Sequence, residues 1–178
     1  LDAVNNYSLL ITDKNRLKGI PKNILEKARI EAKKQNNDGW SFSLDFPCYL
    51  PLMQYADNRE LRETIYYAYA TKASDLSDKK TDNTNNINNI LLNKKKLSSL
   101  LGFSDYASMA LTTKMANSSK EVINFLEKLA KKAKPFAIKD MDDLKNYGQK
   151  INISNIEAWD IAYLSEKIKE DRFNYSEQ

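Results

Sequence analysis

From Trp40 to Phe46 apolar and small polar side chains alternate without a break, with Trp40, Phe42, Leu44 and Phe46 on one register and Ser41, Ser43 and Asp45 on the other. A period of two sends the sets to opposite faces of an extended chain, which predicts a half-buried strand. Pro47 and Pro51 follow at once. Each withholds a backbone donor and fixes φ, so the strand is predicted to stop and the chain to cross Cys48, Tyr49 and Leu50 in an extended turn. A helix must begin soon after. Asp57 is the expected N-cap with Glu60 three residues on, and Leu61, Ile65, Ala68 and Lys72 mark one helical face. Tyr66, Tyr67 and Tyr69 surround that face with rings.

The rest of the chain reads as helices. Leu1 to Asn6 resembles a helix end, and Leu9 to Thr12 is a short apolar piece, strand or irregular. Pro21 suits a first helical position, with Ile24 or Leu25, Ala28 and Ala32 as a narrow stripe that Asn36 to Gly39 ends. Asp75 to Asn86 is rich in Ser, Asp, Lys, Thr and Asn; it reads as a solvated connection, not a domain boundary. Ile87, Ile90, Leu91, Leu97 and Leu101 then follow helical spacing up to Gly102, a residue suited to a left-handed cap. Ser104 is expected to cap a short helix through Met109 and Leu111. Ser118 and Glu121 form a capping pair opening the clearest helix, whose apolar face carries Val122, Phe125, Leu126, Leu129 and Ala133. A kink or break is expected near Lys131 to Pro135, and Gly148 is expected to close the element. A last helix should start near Glu157 with Trp159, Ala162 and Tyr163 on one side, and Ile161, Leu164 and Ile168 partly on another. So much apolar circumference calls for two neighbours.

Composition suits a folded protein. The 178 residues are 42% hydrophobic and 29% charged, and include ten tyrosines. A compact chain of this length buries about 70% of its unfolded surface. No run is apolar enough to span a membrane, and no basic-then-apolar signal opens the chain. The single cysteine, Cys48, excludes an internal disulfide framework and suits a reducing compartment. The formal net charge of +4 arises from clusters such as Lys94 to Lys96 and Lys131-Lys132, for the most part on helices that also carry acids. Solvated helix faces explain them, and no nucleic-acid-binding motif accompanies the charge.

The block from Trp40 to Asp75 is similar to the thimet oligopeptidase family of zinc metallopeptidases, and in particular to its bacterial oligopeptidase A branch. The residues that carry the resemblance are Leu44, Asp45, Pro47, Tyr49 and Pro51, then Asn58 to Arg62 (NRELR), then Ala68, Tyr69, Ala73, Ser74 and Asp75. Asp82, Asn83, Leu100 to Phe103, Lys114 to Ala116 and the WDIAYLSEK run from Trp159 to Lys167 follow in family order. Lys72 replaces an arginine of the family pattern, Thr81 stands where a tryptophan is usual, and Leu164 replaces a second tyrosine. The resemblance spans nearly the whole chain but an interior part of the family's sequence. It implies a mainly α fold, a multi-helix scaffold with a minor β element, belonging to a larger two-lobed peptidase whose channel admits short peptides. Residues 1–178 then form a single helical fragment upstream of the catalytic region, with no internal boundary placed.

The resemblance further implies an HExxH helix, whose two histidines hold zinc and whose glutamate is the general base. This chain has no histidine and one cysteine. Such a set cannot furnish the usual three protein ligands of a catalytic zinc. The expectation is therefore zinc in the full-length protein and none in this fragment, a truncated or excised piece inactive alone. Its partners by resemblance are short peptides in the cytoplasm, with no nucleic acid and no membrane. Self-association through a surface exposed by truncation is a further expectation. A non-catalytic helical module binding a peptide or protein is the alternative.

No residue is assigned a catalytic or metal role. Serine or cysteine nucleophiles have no histidine base, and the four glycines form no phosphate-binding loop. Asp75, Asp78 and Asp82, and Asp140, Asp142 and Asp143, lack the glycine and terminal glutamate of an EF-hand and read as capping or solvated acids. Tyr66, Tyr67 and Tyr69 have two roles open, core packing, the favoured one, or the lining of a peptide channel. Trp159 with Asp160 reads as a structural anchor, and Cys48 as a small packed side chain.

Overall fold

The computed structural model describes residues 2–174; Leu1 and the segment 175–178 lie outside the described residues. The fold is mainly α with a small β element, as the sequence implies. In chain order the elements are α1 (Asp2–Asn5), β1 (Leu9–Ile11), a 3-10 turn (Lys14–Leu17), α2 (Lys22–Lys34), β2 (Trp40–Phe42), α3 (Phe46–Tyr55), α4 (Arg59–Thr71), α5 (Thr84–Leu100), α6 (Tyr106–Leu111), α7 (Ser119–Lys150) and α8 (Ala158–Phe173). They divide into two compact units, one of Leu1–Thr81 with Asp143–Gln178 and one of Asp82–Asp142, so the chain parts inside the polar connection after Asp75.

In the first unit β1 and β2 pair antiparallel, with Leu9 opposite Phe42, Leu10 opposite Ser41 and Ile11 opposite Trp40. The strand is shorter than the alternation predicts. Phe42 and Leu44 face the core, but Ser41 is buried as well and Phe46 is 58% exposed. Ser41 tolerates burial because its hydroxyl lies 2.7 Å from that of Ser8 and donates to Gln35 Oε1 at 3.4 Å. Ile24, Ala28 and Ala32, the predicted stripe of α2, are buried. Pro21 is the residue before α2 rather than its first.

The segment read as an extended turn is a helix. Asp45 is extended, Pro47 falls in the first turn of α3, and the amides of Cys48 and Tyr49 both bond to Asp45 O. A proline there forfeits nothing, since the first turn has no intrahelical acceptor. Pro51, inside α3, removes a single rung. Burial of Leu52, Met53 and Tyr55 on the next turn accounts for the helix despite that loss.

α4 is capped by Asn58, whose Oδ1 accepts from Leu61 N at 2.8 Å, one residue later than predicted. The displaced Asp57 donates its backbone N–H to Lys18 O at 2.9 Å. Leu61 and Ile65 are fully buried. α8 carries the capping box of Glu157 and Asp160. Gly148 does not end α7, which continues to Lys150. Its role is close approach: a Cβ there would stand 2.7 Å from Ile153 O.

In the second unit, α5 ends in a complete Schellman motif. Gly102 has φ +78°, its N–H bonds Ser99 O at 3.1 Å, and Phe103 N–H bonds Ser98 O at 2.9 Å. Asp105, not Ser104, caps α6, accepting from Ser108 N at 2.7 Å. Ser118 Oγ accepts from Glu121 N at 3.2 Å at the start of α7. α7 is not interrupted at Pro135. The carbonyl that proline leaves without its intrahelical donor belongs to Lys131, an exposed residue open to solvent.

Candidate functional site

α4 brings Arg59 and Arg62 onto one face, a turn apart, because their spacing of three nearly matches the helical repeat. α8 presents Asp160 to both from its first turn. Arg62 and Asp160 are fully buried and their Nη2 and Oδ1 atoms lie 2.8 Å apart. Arg62 also donates from Nη1 to Ala56 O at 2.7 Å and from Nε to Trp159 O at 3.2 Å. Arg59, 44% exposed in its side chain, approaches from the solvent side: Nη2 donates to Asp160 Oδ2 at 2.7 Å and to Asn155 O at 2.8 Å. The backbone N–H of Glu157 completes the carboxylate's set at 3.1 Å.

Aromatic groups enclose the cluster. The Arg62 guanidinium carbon stands 4.0 Å from the Tyr163 ring centroid, and Tyr163 OH donates to Asp57 Oδ1 at 3.0 Å. Tyr55 OH donates to Glu166 Oε1 at 3.1 Å, a buried contact between α3 and α8. Burial acts against ionisation of Asp160, but hydrogen bonds from Arg59 and Arg62 outweigh it and hold the carboxyl below its ordinary range. Burial first, then the charge of Asp57 and the hydrogen bond to it, push Tyr163 up to about 12.

These groups are chemically quiet. A carboxylate held ionised by two guanidiniums and a backbone amide has neither the proton of a general acid nor the basicity of a general base. The cluster is a clamp fastening α4 to α8. Sequence reading missed it, although both halves were in view: the two arginines of Asn58 to Arg62 and the acid after Trp159. What joins them is a contact across 98 positions of chain.

The tyrosines part company. Tyr66 and Tyr69 pack against the core and Tyr67 is 57% exposed. Tyr69 stacks on Tyr49 with centroids 3.9 Å apart, and Tyr66 tilts against Trp159 at 6.0 Å. Cys48 borders a cavity of about 410 Å³ that Tyr7, Ser8, Gln35 and Ser41 also line. Burial pushes its thiol up, away from the reactive thiolate.

The residues present do not fit a zinc ion. With no histidine, ligands would have to come from acids and Cys48, and among the described residues no three of these come together. Three of the acids singled out in the sequence are otherwise engaged: Asp78 Oδ1 accepts from Lys80 N, Asp82 Oδ1 accepts from Thr84 N, and Asp143 pairs with Arg172 at 3.0 Å.

The described residues thus form a mainly helical scaffold in which a buried arginine-carboxylate clamp joins α4 to α8. Comparison with known proteins places that scaffold in a family. The sequence model of peptidase family M3 matches residues 52–178, and the chain belongs to that family. It is 39% identical to oligopeptidase A of Salmonella typhimurium and of Escherichia coli, over all of this chain and 27% of each of theirs. It is 35% identical to an organellar oligopeptidase A, chloroplastic/mitochondrial, of Arabidopsis thaliana, over all of this chain and 23% of that protein. The chain therefore spans about a quarter of the length of these relatives.

Proposed function

We propose that the chain is scaffold, and part of a channel wall, of a zinc metallo-oligopeptidase that hydrolyses short peptides in the cytoplasm, and that the 178 residues are inactive alone. One observation carries the reading: every part of the chain aligns with oligopeptidase A at 39% identity, yet it contains no histidine. Chemistry of this family that needs histidine ligands must then reside in sequence outside these residues. Among the described residues no helix is long and apolar enough to cross a membrane. Within the first unit, the role left to the chain is to hold α3, α4 and α8 in fixed relation through the Asp160 clamp.

The test has two arms. The purified chain, incubated with zinc and desalted, should retain no stoichiometric metal by elemental analysis and should not cleave a quenched short peptide. The coding sequence that continues from the chain should contain an in-frame HExxH. Stoichiometric zinc with peptidase activity in the chain itself would overturn the assignment.

A second reading, a non-catalytic helical module that binds a peptide or protein, is favoured by the exposed apolar faces of α5 and α7. It replaces the first if the coding sequence ends without an HExxH.

A further inference from the structure

The second unit has helices but no core. Among the described residues from Asp82 to Asp142, Ser98 is the single buried side chain, and no apolar residue is buried. The apolar face of α7 nonetheless has the spacing of a packed helix. Val122, Phe125, Leu126, Leu129, Ala133 and Phe136 recur on one face of the part of α7 from Ser119 to Asp142, a stripe roughly 21 Å long from Val122 to Phe136. Phe125 is 64% exposed and Phe136 72%. An apolar stripe of that length on water is out of keeping with a free surface and marks an interaction site.

We infer that this α7 face, together with the apolar side of α5, is the seat of polypeptide from the same M3 protein that lies outside these 178 residues, and that the occupant presents an apolar strip bordered by acids. Two observations select the occupant. The curated relatives carry almost three quarters of their length beyond the matched stretch, while the stretch containing α5 and α7 is matched throughout. Charge selects its chemistry. The whole formal excess of +4 falls in this unit, which holds ten lysines against six acids. Lys128, Lys132 and Lys139 follow one edge of the α7 stripe, with Glu121 the acid at its start, so an acid-bordered partner complements it. The inference rests on the reading that the chain is part of a longer M3 protein. It goes further by naming which surface meets the remainder and of what charge.

The experiment is hydrogen exchange read by mass spectrometry on two samples, this chain and intact Escherichia coli oligopeptidase A, with the chain's mass in solution checked by light scattering. At the dilution of the exchange measurement the chain should be monomeric, self-association through its exposed face being confined to higher concentration. Peptides covering α5 and residues 119–142 should exchange at least a hundredfold faster in it than the aligned peptides do in the intact relative. Equal exchange rates would overturn the inference, as would a dimer of the chain with these peptides protected, since the seat would then belong to a second copy.

A binding arm uses the portion of the Escherichia coli protein that follows the matched stretch. It should bind the chain with an affinity that falls as salt rises. Leu126→Glu with Leu129→Glu should weaken binding at least tenfold, whereas Lys131→Glu, on the far side of α7, should leave it within twofold. These residues are exposed, so the variants leave the chain's own packing intact. Salt-independent binding, or equal loss in both variants, would refute the surface. Peptidase activity of the complete gene product tests the functional reading separately, so the two fail in distinguishable ways.

Discussion

Replacing Asp160 by Asn changes a single atom's identity but removes the charge on which two guanidiniums converge. Arg62 is fully buried and would keep its positive charge with carbonyl acceptors alone, at Ala56 O and Trp159 O. An amide NH2 placed in either oxygen position would also point donors at the donors of Arg59 or Arg62, which now sit 2.7 and 2.8 Å away. Breaking a buried pair by removing one partner costs about 3–5 kcal/mol. The lower end applies, because the carbonyl acceptors remain and Arg59 can turn to water, giving about 3 kcal/mol. Trp40 and Trp159, the chain's two tryptophans, both belong to the first unit, so their fluorescence in a urea titration reports on that unit. The expected result for Asp160→Asn is a midpoint lower by about 1–2 M. A double variant, Asp160→Asn with Arg62→Met, removes the stranded charge and should cost at least about 1.5 kcal/mol less than the sum of the single changes. A single-variant loss below about 1 kcal/mol, or additivity within about 0.5 kcal/mol, would refute the clamp.

Two other outcomes follow from the same unit and its neighbour. Tyr163 titrates at about 12 when folded and near 10 unfolded, so its contribution is complete below pH 10 and is lost as pH rises through 12. Allowing for solvent screening, roughly 1–2 kcal/mol should disappear over that interval, and Tyr163→Phe should reduce the slope in urea titrations from pH 9 to 11.5, leaving the part due to Tyr7 and Tyr49, which burial also raises. Gly19 and Gly102 share φ values of +82° and +78°, but a Cβ at Gly19 would collide with Tyr55 O and stand 2.8 Å from Asp57 Oδ1, while one at Gly102 meets nothing within 4 Å. Gly102→Ala should cost about 1 kcal/mol, seen as reduced far-ultraviolet ellipticity near the end of α5, and Gly19→Ala about 2–4 kcal/mol in the tryptophan signal.

What the sequence disclosed and what it hid divide by distance along the chain. The Ser118–Glu121 cap, the helix start near Glu157 and the left-handed Gly102 are read from neighbours within one turn, and all three occur in the structure. One-residue errors at Asp57 and Ser104 arose where two capping side chains stand in succession, Asp57-Asn58 and Ser104-Asp105. Both residues of each pair suit the role, and at the first pair tertiary contacts of Asp57 with Lys18 and Tyr163 chose between them. The misreading of α3 has another cause: proline's fixed φ near −65° suits a helix's first turn as well as an extended strand. Only burial of Leu52, Met53 and Tyr55 distinguishes the two, and burial is not written locally. The Arg62–Asp160 clamp was invisible for the same reason. Periodicity showed that α7 has an apolar face, but periodicity cannot say what covers it.

That last distinction leads to a thermodynamic consequence for the chain as a whole. The first unit closes a core around Phe42, Leu52, Leu61 and Ile65, so its loss should be cooperative. The second unit has no buried apolar residue among those described, so its helices depend on intrinsic propensity and caps. α5 is poorly equipped for that, with Asn85, Asn86, Asn88, Asn89 and Asn93 in its body, a residue type that favours caps and turns over helix interiors. Most helical stability in proteins comes from tertiary packing of an apolar face rather than from propensity. Far-ultraviolet ellipticity should therefore decline gradually from the lowest urea concentrations, while tryptophan fluorescence stays flat until a sharp transition. Coincident sigmoidal curves from both probes would mean that α5 and α7 share the cooperative core, and the surface assigned to an outside polypeptide would then already be satisfied within the chain.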